Sequence, residues 1–412
     1  MTPEKTYSKR KTILLSVVSV ILGFLVLELM VRGAFIFTGR YETWGYPKQN
    51  KFVLPYVGFF NRPDSGRDRY GFRLDGSDNP DRNLENKNEC EFRIFILGGS
   101  TVAGRELKSK DGTLPARVER LLNKIGFAGT YFSVINGGVG GHVSPQSLMQ
   151  DIMYVRYSLQ PDLIVHFDGS NDSVGHSAVY PEGRLFGIKD NLHRHTEQVF
   201  SSIERSRSVQ GILDITLRLL SEYSALVFLI DKTVTDPNSW DRYLNRFGIG
   251  QIVASDLNTW VTRHANRYMF NISIALSLGS RDTGVAYFFQ PTLLPHLVGS
   301  VSDAEVQYLN TGLDSKETFH GHDRRVAKIK FYKMVSQIIK ERKKDYDTEY
   351  SLISDLSELF QRKQSSETFY SDHVHYSSKG REVISVAMVE KLAPLIKRQI
   401  KLQERFVSCA VE

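Results

Sequence analysis

Two patterns of apolar residues divide the chain. The first is one uninterrupted run: no charged residue breaks the stretch from Ile13 to Leu27, and apolar character continues past Glu28 to Val31. A helix of this composition has no polar face, which argues against a buried helix of a soluble domain, and its length suffices to cross a bilayer with little tilt. The second pattern begins at Glu91, where short apolar runs alternate with amphipathic segments. Runs at Phe92–Leu97, Phe132–Ile135, Leu163–Phe167 and Val285–Phe289, with a weaker one at Tyr350–Ile353, predict strands.

Between them the spacing predicts helices. Leu114, Val118, Leu121, Leu122 and Ile125 share one face of a helix that Thr113 can cap and Gly126 can end. A second helix starts at Ser144-Pro145, with Leu148, Ile152 and Val155 on one side. A long one over 255–278 carries a stripe from Leu257 through Trp260, Val261, Ala265, Tyr268, Met269 and Ile272 to Ala275. Further helices are expected over 324–340 and from Gly380 to the end of the domain. This alternation predicts a parallel sheet covered on both faces, with ligands beyond the carboxyl ends of the strands.

Two stretches depart from it. Residues 37–90, rich in aromatics, Gly and Pro and without helical period, read as an irregular connector packed on the domain, since exposing so many aromatics is costly. Between about 175 and 250 the alternation lapses, as expected of a helical insertion. Its "GILDITLRLLSEYSALVFLI" is broken by Asp214, Arg218 and Glu222 and reads as an amphipathic helix rather than a second span. The expected organisation is a cytoplasmic tail over 1–12, an anchor over 13–36, the connector over 37–90, and an α/β domain over 91–400.

Charge sets the orientation. Ser8-Lys-Arg-Lys11 precedes the apolar run, which places the N-terminus in the cytoplasm and exports the remainder to a periplasmic or extracellular face, although Arg32 and Arg40 beyond the run moderate the asymmetry. The run is longer than a signal peptide requires and no small-x-small cleavage site follows it, so the anchor is read as uncleaved. The net charge of +7 suits anionic neighbours such as phospholipid headgroups or an acidic glycan. The basic residues are scattered and no nucleic-acid-binding motif accompanies them, so nucleic acid is not expected as a partner. Cys90 and Cys409 sit at opposite ends of the domain, too few for a disulfide scaffold and without metal-ligand spacing, and leave the compartment undefined.

The chemistry gathers at the strand ends. The first strand runs into Gly98-Gly99-Ser100-Thr101, the second into Asn136-Gly-Gly-Val-Gly-Gly141-His142, and the third into Gly169-Ser170-Asn171-Asp172. Near the C-terminus, Asp372 stands three residues before His375. Nucleotide loops fit poorly: Arg105-Glu106 occupy the places of the phosphate-loop Lys-Ser/Thr, and a dinucleotide pattern begun at Gly138 ends on Val143. A nucleophilic Ser100 fits better. It needs a base, a carboxylate to orient that base, and donors for an oxyanion. His375 and Asp372 can supply the first two from one loop, the Asn171 amide can donate, and Gly141 lets a backbone N–H approach substrate unshielded.

In these residues the chain resembles the SGNH (GDSL-type) hydrolase superfamily of serine esterases and acyltransferases. Its four blocks are matched by Gly98-Gly99-Ser100, Asn136 to Gly141, Gly169 to Asp172, and Asp372 to His375, over roughly residues 90–395. The resemblance implies a flavodoxin-like three-layer α/β/α fold with a five-stranded parallel sheet. It implies Ser100 as nucleophile, His375 as base, Asp372 as its orienter, and an oxyanion hole from the Ser100 and Gly141 N–H groups and the Asn171 amide. No metal or cofactor is called for. Gly99 stands where the GDSL signature has aspartate, and the roughly 200 residues between Asn171 and Asp372 separate the chain from compact members. With its anchor and the strand end Gln290–Pro295, it is most similar to membrane-anchored bacterial members.

The expected activity is cleavage of ester-linked acyl groups on an envelope glycan or lipid, or transfer of such a group to a sugar hydroxyl. Other residues have plainer roles: Gly137, Gly138 and Gly140 as turn residues, Asn136 and Asp172 as structural hydrogen-bonders, and His373 in solvent. His142 lies beside the expected oxyanion hole and could touch substrate. Two other classes stay open. A metal-dependent hydrolase would use His193 and His195, His320, His322 and Asp323, and Asp372, His373 and His375, whereas a silent glycan-binding or scaffold protein of envelope polysaccharide assembly would be indifferent to Ser100→Ala. The oligomeric state is left undetermined.

Overall fold

The computed structural model describes residues 9–37, 51–54, 57–61, 63, 66–74, 84–104, 112–127, 129–173, 220, 224–227, 257–294, 301–311, 318–319, 322–361 and 367–409. The chain falls into two compact units, Met1–Asn50 with Arg194–Ile249, and Lys51–His193 with Gly250–Glu412. In the first unit, helix α1 runs from Lys9 to Phe37. Its Lys11–Ala34 stretch, whose most apolar 18 residues have a mean hydropathy of 2.7, is long and apolar enough to cross a membrane.

In the second unit, the connector is less irregular than its composition predicts. Strands β1 (Lys51–Leu54) and β2 (Gly58–Asn61) form an antiparallel ribbon that pairs Phe52 with Phe60. Four-residue strands are too short to show a periodicity, so the ribbon leaves no trace in the pattern. Among its described residues, Phe60, Phe72 and Leu84 join Phe95, Leu97, Ile135 and Ile164 in one buried cluster.

The chain then enters the parallel sheet through β3 (Glu91–Gly98), followed by the single turn α2 (Ser100–Ala103), α3 (Leu114–Ile125) and β4 (Tyr131–Gly138). Thr113 caps α3 by accepting from the Ala116 N–H, and Gly126 ends it at φ 71°. Helix α4 (Ser144–Gln150) runs on into a π turn over Asp151–Val155 and leads to β5 (Leu163–Asp168). Helix α5 (Leu257–Ser277) and β6 (Gly284–Phe289) follow, then α6 (Asp303–Thr311). A two-residue pairing of β7 (Thr318–Phe319) with β8 (His322–Asp323) leads to α7 (Arg324–Tyr346), β9 (Ser351–Asp355), α8 (Ser378–Leu402) and α9 (Arg405–Cys409).

The sheet order is β4-β3-β5-β6-β9, every pair parallel. In chain order this is 2-1-3-4-5, the flavodoxin-like arrangement, and the chain reverses direction across the sheet beside β3. Period-two alternation splits the strand residues between two helical layers. Phe92, Ile94 and Ile96 face α3 and α8, packing with Leu122, Ile384, Met388 and Leu392. Val285, Tyr287, Phe289 and Ile353 face α5 and α7, against Val261, Tyr268, Ile272, Phe331 and Val335.

One reading changes here. Cys90 and Cys409, 319 residues apart, form a disulfide that fastens α9 beside the start of β3. Distance along the chain concealed a pairing that only the fold creates, and it carries the domain past residue 400. Arg405 reinforces the junction, donating to the carbonyls of Glu89 and Glu91 and pairing with the buried Asp162.

Candidate active site

Because β4, β3 and β5 are parallel neighbours, the loops leaving their carboxyl ends emerge on one edge of the sheet. Those loops carry Gly141, Ser100 and Asn171. Glycine is required where they meet. Gly98 has φ 155°, and a Cβ there would stand 2.4 Å from the Phe167 carbonyl oxygen. A Cβ on Gly99 would lie 2.3 Å from Asn171 Nδ2, and one on Gly138 would lie 2.3 Å from the Ala103 nitrogen. Gly138 therefore serves close approach to α2 rather than a turn.

Ser100 is the first residue of α2, half-buried, in the turn where backbone N–H groups have no acceptor within the helix. Asn136 braces this turn, donating through Nδ2 to the Val102 carbonyl at 3.1 Å and accepting from the Gly138 N–H at 3.0 Å. Arg73 of the connector donates to the Ala103 carbonyl at 3.0 Å. Gly141 sits at φ 93°, a backbone conformation that favours glycine. Asn171 donates through Nδ2 to the His142 carbonyl at 2.8 Å, joining the loops after β4 and β5. His142 itself is fully buried, so it meets the site through its carbonyl and does not present its ring to substrate.

The loop before α8 brings the remaining pair. Asp372 Oδ1 accepts from the Val374 and His375 N–H groups, both at 2.7 Å, and Oδ2 contacts His375 Nδ1 at 2.7 Å. Burial opposes the charged carboxylate, yet the His375 ring and these N–H donors together hold Asp372 well below the usual carboxylate range. The Asp372 carboxylate engages the ring of His375, the histidine three residues on. The loop is closed by an antiparallel bridge between Tyr370 and Tyr376 and by Ser371 N–H donating to the His375 carbonyl at 2.8 Å.

The end of β6 links this loop to the serine turn. Thr101 Oγ1 donates to Gln290 Oε1 at 3.0 Å, while Tyr376, next to His375, donates to the Pro291 carbonyl at 2.6 Å. Gln290 and Glu305 lie outside the four sequence blocks yet bond to their neighbours. Glu305 is fully buried, and its Oε1 accepts from the Phe369 and Tyr370 N–H groups at 2.7 and 3.0 Å, fixing the approach to Asp372. A signal existed in the capping-box spacing Ser302-x-x-Glu305: Ser302 N–H donates to Glu305 Oε2 and Glu305 N–H to Ser302 Oγ.

Under the Asn171 loop lies a buried carboxylate pair. Asp172 Oδ1 accepts from the Ser144 N–H at 2.8 Å and its hydroxyl at 2.6 Å, and Ser147 donates to Asp168 Oδ1 at 3.3 Å. Oδ2 of each has no hydrogen-bond partner among the described residues. Burial first, then the neighbouring carboxylate, pushes Asp168 well above the ordinary range, and burial raises Asp172 as well. The Asp172 carbonyl contacts His264 Nε2, and burial lowers that ring to about 4, holding it neutral. Val143, Asn171, His264 and Arg267 line a small cavity beside this loop.

Among the described residues, no group of three or more His, Cys, Asp and Glu side chains is placed to hold a metal ion. His193, His195 and His320 lie outside them, as does most of the expected 175–250 insertion.

No family model and no curated protein matches the chain. Solved structures do. A lipase/acylhydrolase from Enterococcus faecalis matches at 14% identity, covering 73% of this chain and 95% of its own, with a TM-score of 0.34. An acetylxylan esterase from Geobacillus stearothermophilus matches at 13% identity over 73% and 93%, with a TM-score of 0.35. A lipolytic G-D-S-L family protein from Veillonella parvula matches at 9% identity over 73% and 98%, with a TM-score of 0.36. Similarity this distant leaves activity and substrate to be reasoned from the site itself.

Proposed function

We propose that this chain is a membrane-anchored serine acyl hydrolase whose domain is exported and which cleaves ester-linked acyl groups from an envelope glycan or lipid. The observation that carries the reading is the Asp372–His375 contact, together with the bonds that Tyr376, next to His375, and Thr101, next to Ser100, make to the adjacent Pro291 and Gln290 just past β6. With Nδ1 engaged by Asp372, His375 keeps Nε2 to accept the Ser100 proton. Ser100 Oγ then adds to the acyl carbonyl. The developing oxyanion takes hydrogen bonds from the Ser100 and Gly141 N–H groups and the Asn171 amide. Collapse breaks the ester bond, and His375 returns its proton to the departing alcohol. Water, activated by the same imidazole, adds to the acyl-serine, and the acid leaves with Ser100 restored.

Export is supported by two features. The apolar Lys11–Ala34 stretch follows a basic cluster, and the Cys90–Cys409 disulfide belongs to an oxidising compartment. The test uses the full chain in detergent, assayed on p-nitrophenyl esters of increasing length beside Ser100→Ala, with intact mass after exposure to a fluorophosphonate. Turnover and a single covalent adduct should both vanish in the variant. Turnover that survives Ser100→Ala would sink the acyl-serine mechanism.

A further inference from the structure

The anchor carries a carboxylate where a bilayer would exclude one. Glu28 lies six residues before Ala34, about 9 Å of helix inside the end of the apolar stretch. Among the described side chains of α1 it is the only buried one, at 8% exposed, while Leu25 and Leu29 beside it remain 50% and 69% exposed. Polar groups surround its carboxylate. Arg32 Nε donates to Oε1 at 2.7 Å from one helical turn away. From a distant part of the sequence, Ser224 Oγ donates to Oε2 at 2.7 Å, Leu226 N–H to Oε2 at 2.9 Å and Ala225 N–H to Oε1 at 2.9 Å. Ser224 Oγ also accepts from the Val227 N–H at 3.2 Å, so the same hydroxyl closes the turn it presents to Glu28.

An ionised group at membrane depth persists only where it is paired, and exposed backbone N–H groups at that depth need an acceptor. Glu28 and residues 224–227 each satisfy the other's need. The sequence after Ser224 is apolar through Ile230, Ala-Leu-Val-Phe-Leu-Ile, far too short to span a bilayer but suited to lie in its outer boundary. Ala225 and Val227 are buried against the protein, while Ser224 and Leu226 are partly exposed and Leu220 is half-exposed, so Leu220 and Leu226 are the side chains left to meet lipid.

We infer that Leu220 and residues 224–227 belong to a second membrane contact, seated in the outer leaflet beside the anchor and held there by the Glu28–Arg32 pair. The partner of this surface is the acyl-chain region of the bilayer. The inference rests on the reading of α1 as a membrane span. It gives the described part of the insertion a membrane role.

The test places an NBD fluorophore on Leu226→Cys in the full chain, reconstituted in phosphatidylcholine/phosphatidylglycerol vesicles that contain doxyl-labelled lipid. Leu226 contributes its backbone N–H to Glu28, so a new side chain leaves that bond available. With Cys90 and Cys409 joined, the added thiol is the one labelled, and label stoichiometry reports that the disulfide is intact. We expect acyl-chain quenching of at least about half the fluorescence. Glu28→Leu should lose most of that quenching while the chain still resists alkaline carbonate extraction. An unquenched label on a carbonate-resistant chain would overturn the second contact and leave the anchor standing. Quenching that persists in Glu28→Leu would overturn the role of Glu28. Release of the chain by carbonate would overturn the anchor and this inference together.

Discussion

Asp372 takes contacts from the Val374 N–H, the His375 N–H and the His375 ring, all within three positions of itself. Asp372→Asn retains an acceptor for the backbone but can present a donor to Nδ1, which favours the wrong tautomer of His375. Turnover should fall by about 10²- to 10⁴-fold with little change in KM, read from steady-state kinetics on a soluble ester. The sign of the acid response follows from the depressed folded value. An unfolded aspartate titrates near about 4, so the stabilisation is complete above that pH and is lost as pH falls toward the lower folded value. Melting curves of Asp372→Asn should therefore lose part of the acid-induced decline below about pH 4. The sequence exposed this residue well, because Asp-x-x-His is a local motif whose two members contact each other within one loop. Glu305 was far less legible as a site residue. Its capping role is local, but its second oxygen serves Phe369 and Tyr370, whose proximity is a tertiary fact.

At the scale of elements, the site depends on how closely α2 approaches β4. Gly138→Ala would set a methyl 2.3 Å from the Ala103 nitrogen, and backbone on both sides cannot give way cheaply. Overpacking of this kind costs about 1–3 kcal/mol, and displacing the Ser100 turn by about 1 Å should lower turnover by about 10²-fold. Denaturant melts and fluorophosphonate labelling rates measure the two effects separately. The buried pair beneath the Asn171 loop makes a prediction of opposite sign to that of Asp372. Asp168 has a raised folded value, so between about pH 4 and that value the folded state holds more protons than the unfolded chain, and stability falls as pH rises. Asp168→Asn removes this charge and keeps an acceptor for Ser147. The loss of melting temperature between pH 5 and pH 8 should shrink in the variant, by roughly 2–4 °C for each kcal/mol relieved. Apart from α2, α6, α9 and the β7–β8 pairing, which no periodic run marked, strand and helix positions followed the pattern, because β3 to β6 bury both faces and each helix one. The β1–β2 ribbon and the π turn after α4 did not, since neither spans enough residues to impose a period.

At the scale of the whole molecule, the Cys90–Cys409 bond closes nearly all of the second unit into one loop. Removing a disulfide of a long loop costs about 2–5 kcal/mol. Cys409→Ser should melt lower by that margin, and dithiothreitol should destabilise the parent chain but not the variant, as followed by circular dichroism. A parent chain indifferent to reductant would mean the bond contributes nothing to stability and would weaken the case for an oxidising compartment. One unit holds the apolar helix together with Arg194–Ile249, and the other holds the sheet with the four candidate blocks.

Sequence alone determined what is periodic or local: an apolar stretch long enough for a bilayer, strands and helices in alternation, and motifs whose members sit a few residues apart. Burial and hydrogen bonding act residue by residue there, so the pattern records them. Tertiary structure decided what depends on closure of the chain in space. Only the fold brought Cys90 to Cys409, Thr101 and Tyr376 to the end of β6, Glu305 to Phe369 and Glu28 to Ser224. Each of these contacts joins residues with no periodic relation. They form because parallel strands align their loops on one edge and because buried charge must find a partner wherever the chain supplies one.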